Sequence, residues 1–172
     1  MKHGFRKLLR NKWTLNGVSL VFVTVVLCVV IFYVNFKYYA GVIGMGFFAP
    51  LLCVALFRGT QGIVKAEKRR RIVFVNSGLI GLIIVMFVIA LPRYTYKDSQ
   101  EMVLSYHLND SNGDVTMPSL EHKTVPTTRQ YSWLLNGRLY YVGIKEDQLD
   151  QILYYVVHPI RGQVTKLERP YW

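Results

Sequence analysis

The stretch that decides the fold is Thr14 to Val34, TLNGVSLVFVTVVLCVVIFYV, which contains no charged residue. Two more uncharged apolar runs follow, Tyr38 to Phe57 (YYAGVIGMGFFAPLLCVALF) and Ile72 to Leu91 (IVFVNSGLIGLIIVMFVIAL). A helix needs roughly 20 apolar residues to cross a hydrocarbon core about 30 Å thick. Lipid cannot hydrogen-bond a free backbone group, so each run should be helical. The sequence therefore predicts three transmembrane helices within residues 14–91.

The charge of the 172-residue chain is divided in the same way. Residues 1–91 contain 12 of the 21 Lys and Arg residues and a single acid, Glu67, whereas residues 92–172 contain nine cations and nine acids. The whole net charge of +11 therefore lies in the more apolar half. This pattern excludes a disordered chain, a disulfide scaffold and a uniformly basic nucleic-acid-binding domain. The expected partner of the first half is the lipid bilayer, with no nucleic acid.

The positions of the cations predict the orientation in a cell membrane. Basic residues cluster in residues 1–13 and in the connection 58–71, while the connection between the first two runs carries only Lys37. The positive-inside rule then places the N-terminus and connection 58–71 in the cytoplasm and everything after Leu91 outside. The cations of the second cluster are Arg58, Lys65, Lys68, Arg69, Arg70 and Arg71. We expect them to contact anionic lipid head groups. The first run is longer than a signal-peptide core and no A-x-A-like site follows it, which predicts an uncleaved anchor.

Small residues interrupt the second and third runs. Ala40 with Gly44, and Ser77 with Gly81, are small pairs four residues apart, a spacing that allows two helix backbones to approach closely. Such pairs pack helices within one bundle or dock it on another membrane protein. None of the three runs contains an ionisable side chain suited to an ion pathway, so we do not expect a transporter that acts alone.

Residues 92–172 have the composition of a small globular domain. Pro92 ends the third apolar run, and Asp98 or Ser99 can cap a short helix that continues to about His107. Strand patterns follow at Tyr131–Leu135, Leu139–Ile144, Ile152–Val157 and Gln163–Leu167, and Asn136-Gly137 predicts a hairpin between the first two. The predicted fold is thus three transmembrane helices, at about 14–34, 38–57 and 72–91, followed by a small extracytoplasmic α+β domain with a short helix and an antiparallel sheet. Both cysteines fall within the apolar runs, which predicts a domain without disulfides.

The end of the chain resembles a known family. The segment Tyr154-Tyr155-Val156-Val157-His158-Pro159-Ile160-Arg161-Gly162-Gln163-Val164, preceded by Tyr140-Tyr141-Val142-Gly143-Ile144, is similar to the last hairpin of PepSY-type domains. That family typically has Asp where His158 or Pro159 stands here, and a small polar pair in place of Ile160-Arg161. The resemblance covers about residues 98–167 and implies a non-catalytic binding or inhibitory module of a bacterial membrane-tethered protein, acting near envelope peptidases or other envelope proteins.

Two candidate sites come from the residues of the second half. Asp110, Asn112, Asp114 and Glu121 have the spacing of positions 1, 3, 5 and 12 of a calcium-binding EF-hand loop, but Val115 and Pro118 stand where that loop needs other residues, so a polar turn explains them better. An exposed aromatic face could be a partner surface, and strand alternation selects Trp133, Tyr141 and Tyr155 for it. The sequence shows no catalytic, cofactor-binding or zinc-binding pattern.

These features favour a multi-pass membrane protein whose exterior domain binds or regulates an envelope partner without catalysis of its own. The alternative is an accessory subunit of a membrane transport, secretion or sensor complex that contacts its partner, or a second copy of itself, through the spans. No cofactor is expected for either.

Overall fold

The computed structural model describes residues 12–64, 69–108, 115–127, 135–146 and 151–171. Its helices are α1 (Lys12–Tyr38), α2 (Met45–Val64), α3 (Arg69–Ala90) and α4 (Tyr96–Leu108), and its strands are β1 (Val115–Thr116), β2 (Thr124–Pro126), β3 (Arg138–Glu146), β4 (Ile152–Val157) and β5 (Val164–Leu167). The chain divides into two compact units. The helical unit contains the chain up to Tyr33 together with Met45–Ala90, and the C-terminal domain contains Val34–Gly44 together with Leu91–Trp172.

The helical unit has the composition of a membrane-spanning bundle. Among the described residues, three helical stretches are long and apolar enough to cross a membrane: Leu15–Tyr38, Met45–Val64 and Arg70–Ala90. Large apolar side chains point outward from them, with Phe22 68% and Phe74 82% exposed. In water such exposure would be unfavourable, whereas in lipid it costs nothing. This confirms the three apolar helices predicted from the sequence.

The second helix begins later than predicted. The apolar run at Tyr38–Phe57 was expected to be one span, but α2 starts at Met45 and continues to Val64. The six residues from Tyr39 to Gly44 belong instead to the C-terminal domain, where Val42 and Ile43 are fully buried. Their hydrophobicity therefore reflects a protein core and not a lipid environment. The predicted connection 58–71 is shortened at both ends, and its centre, residues 65–68, lies outside the described residues.

The C-terminal domain is an antiparallel sheet with one helix packed on it. The strand order is β1-β3-β4-β5, and β2 pairs with β3 on the same side as β1. Helix α4 begins with a capping box in which the Thr95 N–H donates to Asp98 (2.8 Å) and the Asp98 N–H donates to the Thr95 hydroxyl (3.2 Å). The predicted helix and antiparallel sheet are thus confirmed, but the N-cap is Thr95 and not Asp98 or Ser99, and Asp98 lies at the third helical position.

One face of the sheet forms the core with α4. Val103 from the helix packs on Tyr140, Val142 and Ile144 of β3 and on Val157 of β4, and all five are at most 1% exposed. The two phenol groups at the edge of this core bond backbone oxygens, since Tyr140 donates to the Tyr94 carbonyl at 2.9 Å and Tyr96 donates to the Tyr141 carbonyl at 3.2 Å. Burial raises the pKa of both phenols, so they remain neutral donors.

The connection between α1 and α2 is part of this domain. Helix α1 ends where Ala40 and Gly41 adopt left-handed conformations, with φ of 48° and 79°, and the Gly41 N–H donates to the Asn35 carbonyl. The Asn35 side chain then holds Ile43 at both backbone atoms, accepting from its N–H at 3.0 Å and donating to its carbonyl at 3.2 Å. The chain between the first two helices is thereby fixed as a short extended strip.

That strip pairs with the residues just before β3. Ile43 forms an antiparallel bridge with Leu135, and the Asn136 N–H donates to the Val42 carbonyl at 2.9 Å. The Asn136 side chain also donates to the carbonyls of Gly41 and Ile43. The predicted hairpin across Asn136-Gly137 is therefore wrong at Leu135, whose described partner is the strip. The start of β3 pairs with β2, while residues 131–134 of the expected strand lie outside the described residues.

Candidate functional site

The two described residues of the predicted partner surface, Tyr141 and Tyr155, are buried. Tyr155 is 1% exposed because it pairs with Val142 and shares its core face, so the alternation was assigned to the wrong side of the strand. Tyr141 does point to the opposite face, as expected, but it is only 3% exposed: it stacks on Tyr154 with the rings 5.4 Å apart, and its hydroxyl accepts from the Tyr171 N–H. Trp133, the third member, lies outside the described residues.

The possible calcium loop cannot be built from the described chain. Asp110, Asn112 and Asp114 lie outside it, and Glu121 is exposed on the segment before β2. Among the residues the structure describes, no group of three or more His, Cys, Asp or Glu side chains is arranged to hold a metal ion.

The predicted helix-packing pairs also change. Ala40 and Gly44 lie in the connection before α2 and not on a helix, so they do not form a helix-packing pair. Ser77 and Gly81 are on α3 but exposed, and a Cβ added at Gly81 would meet nothing within 4 Å.

Of the basic cluster, Arg58, Arg70 and Arg71 are exposed on helices, as contact with lipid head groups requires. Lys65 and Lys68 lie outside the described residues, and the Arg69 side chain is likewise not described.

The close helix contacts occur at other glycines. A Cβ on Gly59 would lie 2.7 Å from a Val21 methyl group, and one on Gly62 would lie 3.2 Å from Ile72. Beside Gly59 lies Asn76, which is fully buried in α3 and has no hydrogen-bond partner for either side-chain atom within the described part of the chain. A buried carboxamide without partners is costly, so Asn76 marks a position where the helical unit by itself is incompletely satisfied.

Two histidines of the C-terminal domain serve its structure. His107 on α4 bonds the Glu146 carboxylate through Nε2 at 2.9 Å and the Tyr155 hydroxyl through Nδ1 at 3.0 Å. All three side chains are largely buried, with 4% of the His107 side chain and 14% of the Glu146 side chain exposed. We interpret this triad as a tie between α4 and the sheet.

His158 organises the turn between β4 and β5. Its Nδ1 accepts the N–H groups of Ile160 and Arg161 at 3.1 and 3.2 Å, which requires the neutral ring. Burial, and then the charge of Arg161, lower the pKa of His158, while a hydrogen bond to its own backbone acts in the opposite direction. An Asp at this position could accept the same two donors.

A basic cavity of about 360 Å³ is the candidate binding site of the domain. Three lysines line it from separate parts of the chain: Lys37 from the end of α1, Lys97 from the first turn of α4, and Lys123 from the residue before β2. Each side chain is exposed. No acid is among the described residues that line this cavity, so its field is positive.

Aromatic and apolar groups shape the walls of the cavity. The Lys37 ammonium lies 5.7 Å from the centre of the Tyr38 ring, and the Lys123 ammonium lies 5.6 Å from that of Tyr96. Such cation–π contacts hold the charges close to apolar walls, to which Met117 and Leu120 contribute. A cavity with three cations and apolar sides is suited to bind an anion that has an apolar part.

Sequence reasoning did not find this site. Lys37 was interpreted only as a topological marker, and the three lysines are 26 to 86 positions apart along the chain. The available signal was the repeated pairing of lysine with tyrosine, Lys37-Tyr38 and Tyr96-Lys97, close to the ends of two apolar runs.

Comparisons with known proteins do not add a functional assignment. The chain matches no family model, no curated protein and no solved structure. Its function must therefore be argued from its own residues.

Proposed function

We propose that this chain is a multi-pass protein of the cell membrane whose C-terminal domain is an extracytoplasmic, non-catalytic binding or regulatory module for an envelope partner. The basic cavity carries the proposal, because it is open, positively charged and built from both sequence parts of the domain. Three titratable side chains inside the domain, His107, Glu146 and His158, form hydrogen bonds within the fold. The domain is thus better equipped to bind than to react.

The pairing of the first connection with the C-terminal domain supports the predicted topology. A hydrogen bond joins Val42 to Asn136, so these two parts of the chain must lie on the same side of a membrane. Three crossings give that arrangement, because the chain crosses twice between the first connection and residue 91. The positive-inside rule then favours the exterior for both.

Cross-linking in native membranes tests the proposal. Wild-type protein, a Lys97→Glu/Lys123→Glu variant and a Lys166→Glu control are cross-linked in intact cells, and the captured proteins are identified by mass spectrometry. Lys166 is exposed on β5 and does not line the cavity, which makes it a matched control. We expect a protein captured by the wild type and the control to be lost from the cavity variant. Identical captures from all three would contradict the proposal.

A reporter tests the orientation separately. An enzyme that is active only outside the cytoplasm, fused after Trp172, should be active in cells. An inactive fusion, paired with activity of a cytoplasmic reporter at the same position, would place the C-terminal domain inside.

A second candidate function rests on the helical unit. Gly78 and Gly81 are exposed on α3, and a Cβ added at either would meet nothing within 4 Å. These features favour an accessory subunit whose spans contact another membrane protein or a second copy of this chain. A Gly81→Leu variant should then lose its membrane partner, while Gly46→Leu, at an equally open glycine of α2, should retain it. Retention by both variants would leave the cavity as the contact.

A further inference from the structure

The lysine cavity has a charge that selects its ligand. Lys37, Lys97 and Lys123 surround it, and Lys97 pairs with Glu101 at 3.7 Å. Both members of that pair are mostly exposed, so the contact is weak and the Lys97 ammonium can turn toward a ligand. Three ammonium groups around one cavity favour an anion with several oxygen acceptors, such as a phosphate ester.

The size and walls of the cavity point to an amphiphile. A volume of about 360 Å³ is at the lower end of small-ligand pockets, which span roughly 300–1,000 Å³. It has room for a phosphate with a glycerol-sized group attached. Met117, Pro118 and Leu120 offer apolar contact beside the charges, which a free inorganic anion would leave unused.

Chain connectivity keeps the cavity near the ends of candidate spans. Tyr38 is the last residue of the first span, and it lines the cavity. Thr95, another lining residue, follows the end of the third span at Ala90 by five residues, which reach at most about 18 Å when fully extended. Both tethers bring the cavity within reach of the head-group layer, where Lys and Tyr side chains commonly lie.

We propose that the cavity formed by Lys37, Lys97 and Lys123 binds the phosphate ester of an anionic membrane amphiphile, with the three ammonium groups on the phosphate and the apolar wall on the adjoining glyceryl part. This inference rests on the proposed function, because it names a ligand class for the same cavity. An acidic protein segment would be attracted by the same charges, but it does not require a cavity next to the membrane.

Titration of the full-length protein in a neutral detergent tests the assignment. The probes are dihexanoyl phosphatidylglycerol, dihexanoyl phosphatidylcholine and glycerol 1-phosphate. The proteins are the wild type, a Lys37→Gln/Lys97→Gln/Lys123→Gln variant, the corresponding triple Arg variant and Lys166→Gln. Because all four lysines are exposed, these variants should fold, and circular dichroism checks this. The Arg variant keeps the charge while changing the side chain.

We expect saturable binding of phosphatidylglycerol by the wild type, the Arg variant and Lys166→Gln, and affinity on the order of tenfold weaker or more for the triple Gln variant. Glycerol 1-phosphate distinguishes the source of the phosphate: much weaker binding than phosphatidylglycerol supports a membrane amphiphile, and equal binding overturns that part in favour of a soluble phosphate ester. Equal affinity of the triple Gln variant and Lys166→Gln for phosphatidylglycerol would overturn the site.

The proposed function can survive that failure. If the triple Gln variant keeps phosphatidylglycerol binding but loses its cross-linked protein in cells, the lipid assignment is wrong and the cavity binds a protein partner. If the triple Gln variant keeps both phosphatidylglycerol binding and the cross-linked protein, the cavity is not the binding site and the proposed function fails with it.

Discussion

Two buried asparagines, one in each unit, show how differently the two regions are built. Asn35 in the C-terminal domain and Asn76 in the helical unit are both fully buried. Asn35 uses both side-chain atoms on the backbone of Ile43, whereas neither side-chain atom of Asn76 has a partner among the described residues. The burial of Asn35 is therefore offset by hydrogen bonds within the chain, while the burial of Asn76 is not offset within the described residues.

The largest expected effect follows from removing the satisfied asparagine. Asn35→Ala leaves the buried N–H of Ile43 without its partner and removes one of the two side-chain donors to the Ile43 carbonyl, which keeps Asn136. The orphaned N–H, at about 1–3 kcal/mol, and the lost hydrogen bond, at about 1 kcal/mol, should together destabilise the C-terminal domain by about 3 kcal/mol. Hydrogen exchange of the peptide covering residues 39–44 should accelerate strongly. Asn136→Ala, which removes side-chain bonds from the exposed side of the same strip, is the milder control. Unchanged exchange in Asn35→Ala would show that the strip does not depend on this side chain.

The second-largest loss of stability is expected at the buried triad of His107, Glu146 and Tyr155. His107→Phe removes the partner of the Glu146 carboxylate and of the Tyr155 hydroxyl, for an expected loss of about 2 kcal/mol in the free energy of unfolding. Tyr155→Phe removes a single hydrogen bond and should cost about 1 kcal/mol. Thermal unfolding of the purified full-length protein, followed by near-ultraviolet circular dichroism, compares the two. An equal or smaller loss for His107→Phe would contradict the role of His107 as the tie between α4 and the sheet.

A smaller, pH-dependent effect is expected at His158. Its neutral ring accepts two backbone N–H groups, so His158→Ala should cost about 1–2 kcal/mol at neutral pH. The pKa of His158 is lowered in the folded state, so the unfolded chain binds its proton more readily. The stabilisation is then complete above the unfolded pKa of 6.5 and is lost as the pH falls below it toward the folded pKa.

His158→Asp is the matched control for that titration. A carboxylate can accept the same two donors and stays ionised in the range where histidine gains its proton. Between pH 8 and pH 5, the free energy of unfolding should therefore decrease more steeply for the wild type than for this variant. Parallel curves would show that His158 does not carry the pH dependence.

The smallest effect on stability is expected at the second asparagine. Asn76→Leu replaces a buried carboxamide that has no described partner, so the isolated protein should lose no stability and could gain about 1 kcal/mol. A stability loss as large as that of Asn35→Ala would show that Asn76 has a partner within the chain and would remove the contrast between the two units.

Sequence patterns predicted where the helices lie more accurately than they predicted whether each residue faces lipid or protein. The apolar runs that became α1 and α3 were found within a few residues, because length and absence of charge are sufficient signals. Tyr39 to Gly44 was assigned to the membrane because a buried strip and a lipid-facing helix use the same apolar residues. Only the tertiary pairing of Ile43 with Leu135, 92 positions away, distinguishes the two.

Residue positions on strands were predictable only in part. The alternation along β4 was recognised, but which side faces α4 depends on the register of β4 against β3, where Tyr155 lies opposite Val142. The lysine cavity could not be predicted from the sequence for a related reason. Lys37, Lys97 and Lys123 come together only because the first connection is folded into a domain formed mostly by residues after 90.

A disulfide in intact cells tests the central claim, that the first connection and the C-terminal domain form one unit on one side of the membrane. Ile43→Cys and Leu135→Cys are combined in a chain in which Cys28 and Cys53 are replaced by Ala and a protease site is placed in residues 65–68. Tyr140→Cys with Val157→Cys, on paired strands within the second fragment, is the control for oxidation itself, and its disulfide is detected by the loss of free thiols. We predict that the Ile43–Leu135 pair forms a disulfide on oxidation, so that the two fragments stay joined after cleavage until reduced. Fragments that separate without reduction, while the control pair oxidises, would contradict the account.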